Sequence, residues 1–443
     1  MAVKLSDHFT YRKILRFTLP SIIMMIFTSV YGVVDGYFVS NYVGKTPFAA
    51  LNFIMPVLMI LGSLGFMYGA GGSALVSKTL GEGKPQKANR LFSAIIYFAF
   101  ITGVIVSVIG IIFTRPIARA MGAESELLEY SVLYGYILLA SNPFYILQMT
   151  FQTFFVAAEK PKLGLGMTVM AGIINMVLDW LFIAVFNWGL AGAALATTIG
   201  QAAGGIVPVI YFMRPNSSIL RLTKPEFDFK AILKVCTNGS SEFMNCMASS
   251  LVGILYNLRL MQYAGENGIA AYGVIMYVNF IFVGVFIGYS SGIAPVQSYH
   301  FGAQNTAELK SLLKKSLTVI GGLSLGMLIM AIILSKPLAM IFVSYDKVLF
   351  DMTVRGFVIF AFSFLFSGFG IYSSAFFTSL NNGAVSALIA VLRTVIFQVG
   401  AILLLPLILD LDGVWLSVGV SELLAAVVSA GFLLKMRHKY KYF

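Results

Sequence analysis

The sequence predicts an all-α integral membrane protein whose twelve transmembrane helices form two six-helix lobes. Its 443 residues are 59% hydrophobic and 11% charged, and the mean hydropathy is +0.89. A typical soluble domain is about 25% charged, and a soluble surface of this size needs more charge than this chain carries. The composition therefore excludes a cytosolic enzyme, a secreted disulfide scaffold and a disordered regulator.

Apolar runs recur along the chain, and each is long enough to cross a bilayer as a helix. The first run follows a charged tail and is too long for the apolar region of a signal peptide. We therefore expect a multi-pass protein in contact with membrane lipid. The predicted spans are 14–40, 48–77, 91–113, 127–156, 163–186, 189–213, 235–264, 269–298, 312–335, 351–379, 384–409 and 413–435.

The distribution of lysine and arginine predicts the orientation of the spans. With the N-terminus inside, the inner segments hold 22 of these residues and the outer segments hold seven. Both termini are therefore expected in the cytoplasm, with the protein in the cell membrane. The same bias accounts for the net charge of +12, so no nucleic-acid partner is expected.

The two halves of the chain repeat each other at an offset of 221 residues, without a gap from 32 to 118. The offset covers six spans, so the halves share one orientation, as in a parallel repeat about an axis along the membrane normal. We predict an N-terminal lobe at 1–213, a cytoplasmic linker at 214–234 and a C-terminal lobe at 235–443. Two such lobes typically enclose a cavity and alternate its access by rocking, which indicates a transporter. Matched residues include Gly32 and Gly253, Gly44 and Gly265, Gly81 and Gly302, and Pro116 and Pro337.

Four acidic residues, Asp35, Asp179, Glu242 and Glu422, fall inside predicted spans. Ionisable groups are costly in lipid, so they typically face the protein interior or water and serve function. The alternative for each is a structural hydrogen bond between helices. Function is favoured most clearly for Asp35 and Asp179, and least for Glu422.

Asp35 and Asp179 are predicted at one depth, about 8–12 Å below the outer boundary at a rise of 1.5 Å per residue. Asn175 lies one turn before Asp179 on the same helix face, and Thr197 reaches this level from the sixth span. Two carboxylates, an amide oxygen and a hydroxyl suit Na⁺ as hard ligands. A close carboxyl pair equally suits proton storage. We predict a site for the coupling cation, H⁺ or Na⁺, at these four residues.

The acid pair has no counterpart in the second half, where Tyr256 and Gly400 take the equivalent positions. A site that departs from the symmetry of its scaffold is expected to be specialised, so coupling is predicted in the N-terminal lobe only. Pro20, fifteen residues before Asp35, predicts a kink in the first span. The kink is either static or a mobile element that couples protonation of Asp35 to helix movement.

The other polar residues within the spans can each be interpreted in two ways. Arg393 lies in the eleventh span, and either Glu242 or Glu422 could neutralise it; the two pairings stay open. Amide and methionine side chains could line an adaptable substrate cavity, or the amides could join helices by hydrogen bonds. The candidate cavity residues are Met25, Gln148, Gln152 and Gln201.

The chain lacks the motifs of an enzyme or an ATP-driven pump. It contains no G-x-x-x-x-G-K-[ST] sequence and no Ser, Cys or His constellation for hydrolysis. Cys236 and Cys246 would lie roughly 15 Å apart on a helix, too far for a disulfide. No cluster has the spacing of a metal site. We therefore expect no catalysis, no cofactor and no metal beyond a coupling Na⁺.

Four segments carry the most distinctive pattern in the sequence. They are Val34-Asp35-Gly36-Tyr37-Phe38-Val39, Asn175-Met176-Val177-Leu178-Asp179, Gly189-Leu190-Ala191-Gly192-Ala193-Ala194-Leu195-Ala196-Thr197, and Gly413-Val414-Trp415 with Ser421-Glu422. Together with Pro20 they resemble the MATE family, the multidrug and toxic compound extrusion antiporters, over roughly residues 10–435. The resemblance implies twelve helices in two lobes and efflux driven by an inward H⁺ or Na⁺ gradient.

The resemblance also implies roles for individual residues. The positions of Asp35, Asn175, Asp179 and Thr197 match the family's N-lobe cation site, and Pro20 matches its kinking proline. Some members instead use acids on the helices that match spans 7 and 10. Span 10 here has no acid beyond its first residue, and Glu242 lies earlier in span 7 than the usual glutamate, which favours the N-lobe scheme.

We expect a monomeric secondary antiporter that exports amphipathic, cationic organic compounds or drugs in exchange for H⁺ or Na⁺. The alternative is a lipid-linked saccharide flippase of a related two-lobe fold, which should have a more basic cavity. A membrane-embedded acyl- or prenyltransferase would need a His/Asp constellation or paired Asp-rich motifs, and neither is present. A different twelve-helix porter family is disfavoured by the spacing of Asn175 and Asp179.

Overall fold

The computed structural model describes residues 3–442, and these residues form helices with no β-strand. Local signals set the helix starts: the Thr10 side chain accepts from the Lys13 backbone N–H, and a proline opens α4 and α6. The helices of the first half are α1 Tyr11–Phe38, α2 Lys45–Gly62, α3 Leu64–Gly81, α4 Pro85–Ala120, α5 Ser125–Ala157, α6 Pro161–Asp179 and α7 Gly189–Met213.

The second half begins with the longest helical segment of the chain, which Asp228 caps through its side chain. Its helices are α8 Phe229–Gly302, α9 Thr306–Val343, α10 Lys347–Ala361, α11 Ser363–Ser379, α12 Gly383–Val391, α13 Gln398–Leu404 and α14 Pro406–Tyr440. Three π-helical turns adjoin these helices: Val39–Val43 after α1, Trp180–Val185 after α6, and Leu392–Phe397 between α12 and α13.

Nine helical segments within residues 3–442 are long and apolar enough to cross a membrane, or ten if the bent pair α10–α11 counts as one span. One of the nine, α8, has 74 residues, about 110 Å at 1.5 Å per residue. This helix turns at Gly265, where φ is 59°, so it supplies the seventh and eighth predicted spans. The remaining predicted span, 127–156, coincides with α5. The predicted fold class is confirmed.

The internal repeat is visible in the positions where helices break. Gly44 and Gly265, 221 residues apart, both have positive φ, at 115° and 59°. Gly189 and Asp410, also 221 residues apart, have φ values of 59° and 47°. Chain reversals at equivalent positions mean that the two halves fold in the same way.

The apolar side chains divide into outward-facing and packed sets. Ile112, Ile333 and Val427 are more than 60% exposed, as expected of side chains that face lipid tails rather than water. Inside, one large cluster is formed mainly by second-half residues, and it also takes in Ile14 and Phe17 from α1. The main first-half cluster in turn takes in Ile232 and Val235 from α8. Each half therefore inserts the start of its first helix into the core of the other. The lobe boundaries predicted at 213 and 234 stay a prediction.

The basic loops and both chain ends lie on one face of the protein, which we call the basic face. It is formed by residues 3–16, 78–90, 158–162, 214–234, 300–315 and 435–442. Contacts across it include the ion pair of Arg90 with Glu226 and the Lys78 ammonium over the Phe301 ring at 5.6 Å.

The two halves touch backbone to backbone at the basic face through a pair of glycines, the glycine clasp. A Cβ at Gly81 would overlap the Tyr299 carbonyl oxygen, and a Cβ at Gly302 would overlap the Lys78 carbonyl oxygen. Both glycines and both carbonyls are related by the 221-residue offset. Slightly deeper, Gly71 packs on Val235 and Gly239, with equally little space. Only glycine permits this approach, so the basic face is closed in this conformation.

Replacing Gly81 by alanine should therefore separate α3 from α8. We expect the free energy of unfolding to fall by about 1–3 kcal/mol, the usual cost of overpacking, measured by thermal unfolding of the purified protein. Gly302→Ala should behave in the same way. Gly166→Ala is the matched control, because Gly166 is an exposed helical glycine with open space around its Cα. Equal stability of Gly81→Ala and Gly166→Ala would contradict the clasp.

Candidate functional site

The two membrane-embedded aspartates of the first half lie where helices change pitch. Asp35 is in the last turn of α1, just before the π-helical turn Val39–Val43, and Asp179 is the last residue of α6, directly before Trp180–Val185. Single π-helical turns inside helices are often found at functional sites, because they re-aim side chains and leave backbone groups less tightly paired. The local geometry thus marks the same two residues as the sequence.

The side chains of Asp35 and Asp179 meet inside the first half of the protein. Asp35 is 8% exposed and Asp179 is fully buried, and the two carboxyl groups lie close enough to interact. Within residues 3–442, nothing donates a hydrogen bond to either Asp179 carboxylate oxygen or to Asp35 Oδ1. Buried acceptors nearly always have donors, so these oxygens have unused capacity to accept a proton or a cation.

Two tyrosines adjoin the carboxyl pair and were not among the predicted site residues. Tyr134 on α5 is fully buried, and its hydroxyl has no hydrogen-bond partner among the described residues. It lies within electrostatic reach of both aspartates, and Tyr31 on α1 lies within reach of Asp35. The chain has 21 tyrosines, so their type alone did not single out these two.

Asn175 and Thr197 form the other side of the site. Asn175 lies one turn before Asp179 and is buried, and its Nδ2 donates to the Thr197 hydroxyl at 3.3 Å. This bond leaves Asn175 Oδ1 without a donor. Gly200 on α7 packs directly against Asn175, and its lack of a side chain lets α6 and α7 approach here. The structure therefore brings all four predicted cation-site residues into one region, in two interacting pairs.

A buried carboxyl pair with no cationic partner cannot carry two uncompensated negative charges. Two negative charges in a low-dielectric site repel strongly, so the pair must carry a proton or a bound cation to be stable. Residues 3–442 contain no group of three or more His, Cys, Asp or Glu that could hold a metal ion. The carboxylates, Asn175 Oδ1 and the Thr197 hydroxyl could together surround Na⁺, a hard cation that prefers oxygen.

Pro20 lies inside α1 and its side chain is buried. The helix continues through it from Tyr11 to Phe38, so the proline removes one backbone hydrogen bond without ending the helix. Its neighbour Ser21 contacts Gly292 of α8. The proline is thus placed where α1 crosses to the other half of the protein, and its mobility stays a prediction.

The predicted substrate-cavity residues lie in different surroundings. Gln148 and Gln152 are buried in the first half, beside a narrow pocket that Phe151, Thr168 and Pro208 also line. Gln148 Oε1 and Gln152 Nε2 have no partners among the described residues. Gln201 accepts a hydrogen bond from Ser141 at 2.7 Å, which joins α7 to α5. Met25 is half-buried on α1, and its backbone packs beside Gly284 of α8.

In the second half, the structure decides between the two pairings of Arg393. Its guanidinium bonds both carboxylate oxygens of Glu422, with Nε at 2.8 and 3.0 Å and Nη2 at 2.8 Å. The side chains are 13% and 6% exposed. Glu242 is half-buried and within electrostatic reach of Arg393, but no hydrogen bond among the described residues joins them.

The second half has no acid pair at the equivalent positions. Tyr256, the counterpart of Asp35, is buried, stacks on Tyr272 at 5.2 Å and shares a hydrogen bond with Ser417 at 2.5 Å. Gly400, the counterpart of Asp179, has open space around it. Where the first half places unsatisfied carboxylates, the second half has an aromatic residue with its hydroxyl satisfied.

Comparison with known families decides the affiliation. The family model MatE matches residues 20–181 and 243–403, one segment in each half. This chain belongs to the MatE family. Its members are transporters rather than enzymes, so the expected absence of catalysis agrees with the family. The two matched segments also agree with a MatE protein built from two repeated lobes.

Relatives and solved structures cover nearly the whole chain. The multidrug export protein MepA of Staphylococcus haemolyticus (strain JCSC1435) is 26% identical over 97% of this chain and 94% of its own. MepA of Staphylococcus aureus (strain MRSA252) is 26% identical over 95% and 92%. A crystal structure of MATE in complex with MaL6 has a TM-score of 0.93 at 20% identity, covering 98% of both chains. A multidrug resistance MATE family transporter in an outward-facing conformation has a TM-score of 0.92 at 21% identity, with the same coverage.

Proposed function

We propose that this chain is a multidrug efflux transporter that exports amphipathic, cationic organic compounds in exchange for H⁺ or Na⁺. The observation that carries the proposal is the buried Asp35–Asp179 pair in a MatE protein: three of its four oxygens have no donor, and no salt bridge joins it to a cation, among the residues that the structure describes. The MepA relatives are multidrug export proteins, which supports the substrate class. We also propose that the protein works as a monomer in the cell membrane.

The proposed mechanism is competition for one buried negative charge. A cationic compound enters from the cytoplasm and is drawn by the carboxylates of the first half. An H⁺ or Na⁺ that reaches Asp35 and Asp179 from outside neutralises them, so the compound loses its attraction and leaves outward. The π-helical turns beside both aspartates would let α1 and α6 adjust as the site gains or loses its cation. Rocking of the two lobes then changes the side to which the cavity opens.

The orientation follows from the basic face. This face holds both chain ends and the loops that carry 22 of the 30 lysines and arginines. Under the positive-inside rule we propose that it lies in the cytoplasm. The aspartates would then lie toward the outer side, where a cation driven by an inward gradient arrives first.

A flippase for lipid-linked saccharides is less well supported. Such a protein must bind pyrophosphate, so its cavity needs free positive charge. The embedded Arg393 is already neutralised by Glu422, and the first half offers carboxylates. The charge distribution therefore favours cationic cargo.

The coupling ion can be identified in proteoliposomes that contain the purified protein. Export of a fluorescent cationic dye is measured under an imposed pH gradient and, separately, under an imposed Na⁺ gradient. We expect one gradient to drive dye movement against its concentration and the other to have little effect. Equal dye movement without any gradient, or none with either, would contradict antiport.

A further inference from the structure

The residues before α1 form an ordered segment across the basic face, which we call the N-terminal strap (residues 4–10). Leu5 and Phe9 are fully buried, although they precede the first membrane span. Both belong to the large apolar cluster of the second half. A chain end usually frays unless contacts hold it, so this segment is held by specific packing.

The strap is anchored to both halves of the protein by two carboxylates. The Leu5 N–H donates to Glu159 Oε1 at 2.7 Å, and Glu159 lies between α5 and α6 in the first half. The Phe9 N–H donates to Glu308 Oε1 at 2.8 Å, and Glu308 lies in the first turn of α9 in the second half. One short segment therefore connects elements that must separate if the basic face opens.

The Glu308 anchor is the stronger of the two. Its other oxygen lies 2.6 Å from His8 Nδ1, and Lys315 Nζ donates to the Phe9 carbonyl at 2.6 Å. Glu308 is only 7% exposed, and hydrogen bonds to a charged, shielded acceptor are among the stronger ones in proteins. Glu308 is also six residues from Gly302 of the glycine clasp, so the anchor lies beside the closed contact.

The linker between the halves occupies the equivalent place but is bound differently. Leu220 is fully buried in the first-half cluster, and the Arg221 and Thr223 N–H groups donate to Asn89 and Ser93 of α4 at 2.9 and 2.8 Å. These contacts all lie within the first half. The N-terminal strap differs because its hydrogen bonds reach both halves.

We propose that the N-terminal strap is a releasable latch that stabilises the conformation with the basic face closed. The proposal rests on the proposed function, since a latch of this kind has a role only in a protein whose lobes rock. Release of the strap from Glu308 shifts the equilibrium toward conformations with this face open. The strap thereby sets how readily the cavity becomes accessible from the side of the basic loops.

The chain supplies its own reporter for this equilibrium. Cys236 is a free, half-buried cysteine at the start of α8. It lies against the first-half cluster and within electrostatic reach of Tyr68 on α3. Separation of α3 from α8 exposes it. A Cys246→Ser background removes the other thiol, so the rate of reaction with a membrane-impermeant maleimide reports opening.

Labelling rates are compared in purified protein reconstituted in nanodiscs, without drug or imposed gradient. We expect Glu308→Ala, and deletion of residues 2–8, to raise the Cys236 labelling rate about tenfold, which corresponds to loss of one hydrogen bond to a charged group. Glu124→Ala is the matched control. Glu124 directly precedes α5, its side chain is exposed, and it makes no capping hydrogen bond to that helix. Its labelling rate should equal that of the wild type.

Glu308→Gln separates release of the strap from a folding defect. Glutamine keeps the shape of glutamate and one hydrogen-bond acceptor, but it loses the charge. We expect its labelling rate to fall between those of the wild type and Glu308→Ala. A monodisperse Glu308→Ala protein that is labelled at the wild-type rate would overturn the latch. Because all variants are compared in the same buffer without drug or ion gradient, a wrong assignment of the cation site would leave this result unchanged and would appear only in transport assays.

Discussion

Replacing Asp179 by asparagine is expected to reduce gradient-driven export by at least about tenfold, a loss of about 1.4 kcal/mol or more in coupling. Asparagine has nearly the shape of aspartate, but it carries no charge and takes up no proton. Asp179 is fully buried, and neither of its carboxylate oxygens receives a hydrogen bond within residues 3–442. The substitution therefore removes the charge that the coupling cation would neutralise. Asp35→Asn should have the same effect, since the two carboxyl groups act together.

The same substitution should leave the protein as stable as the wild type or more stable. A buried carboxylate without donors or a cation is unfavourable in the folded state, and an amide removes that cost. Reduced coupling combined with unreduced thermal stability would distinguish a functional acid from a structural one. The measurements are dye export in proteoliposomes and thermal unfolding of the purified protein.

The matched control is Asp228→Asn, an exposed aspartate that caps α8. Asparagine is an equally good cap, so neither export nor stability should change. Full coupled export in both Asp35→Asn and Asp179→Asn would rule out the first-half cation site.

Removal of one partner of the Arg393–Glu422 pair is expected to cost about 3–5 kcal/mol of folding free energy, because it leaves an uncompensated buried charge. The change is Arg393→Met, and Glu422→Met is its counterpart. The double variant should be much closer to the wild type, since a buried ion pair can often be replaced by apolar residues at little cost. A double-mutant cycle of thermal or denaturant unfolding measures the coupling between the two residues.

The control for this cycle is the exposed pair of Arg90 and Glu226, whose side chains are 57% and 66% exposed. Exposed pairs contribute about 0–1 kcal/mol, so Arg90→Met should have little effect. If Arg393→Met and the double variant were equally unstable, the pair would not be the source of the loss. We further expect the double variant to retain ion-coupled export, because the proposed cation site lies in the other half.

Much of this protein could be predicted because the membrane restricts what a sequence can do. Apolar runs had to become helices, and the 221-residue offset had to produce similar halves, as Gly44 and Gly265 show by breaking the chain at equivalent positions. Asp35 and Asp179 stood out because charges are rare in spans. Tyr134 did not stand out, because a tyrosine in an apolar helix is common. Only its position near the two aspartates distinguishes it, and that position depends on the tertiary structure.

Side-chain partners could not be predicted in the same way. From sequence, Arg393 could pair with either Glu242 or Glu422, since both lie in spans and neither spacing excludes the contact. The choice depends on the rotation of α8 and α14 about their axes, which packing determines. The glycine clasp and the N-terminal strap also depend on contacts between residues more than 150 positions apart.

The sequence by itself determined the membrane class, the twelve spans, the repeat and which acids lie within the spans. These follow from hydropathy and charge, which act through the local composition of each segment. Only the tertiary structure decided which groups meet: the carboxyl pair without donors, the ion pair of Arg393 with Glu422, and the closed contact at Gly81 and Gly302. Hydropathy places a residue at a depth, but the close packing of neighbouring helices decides which atoms lie within bonding distance.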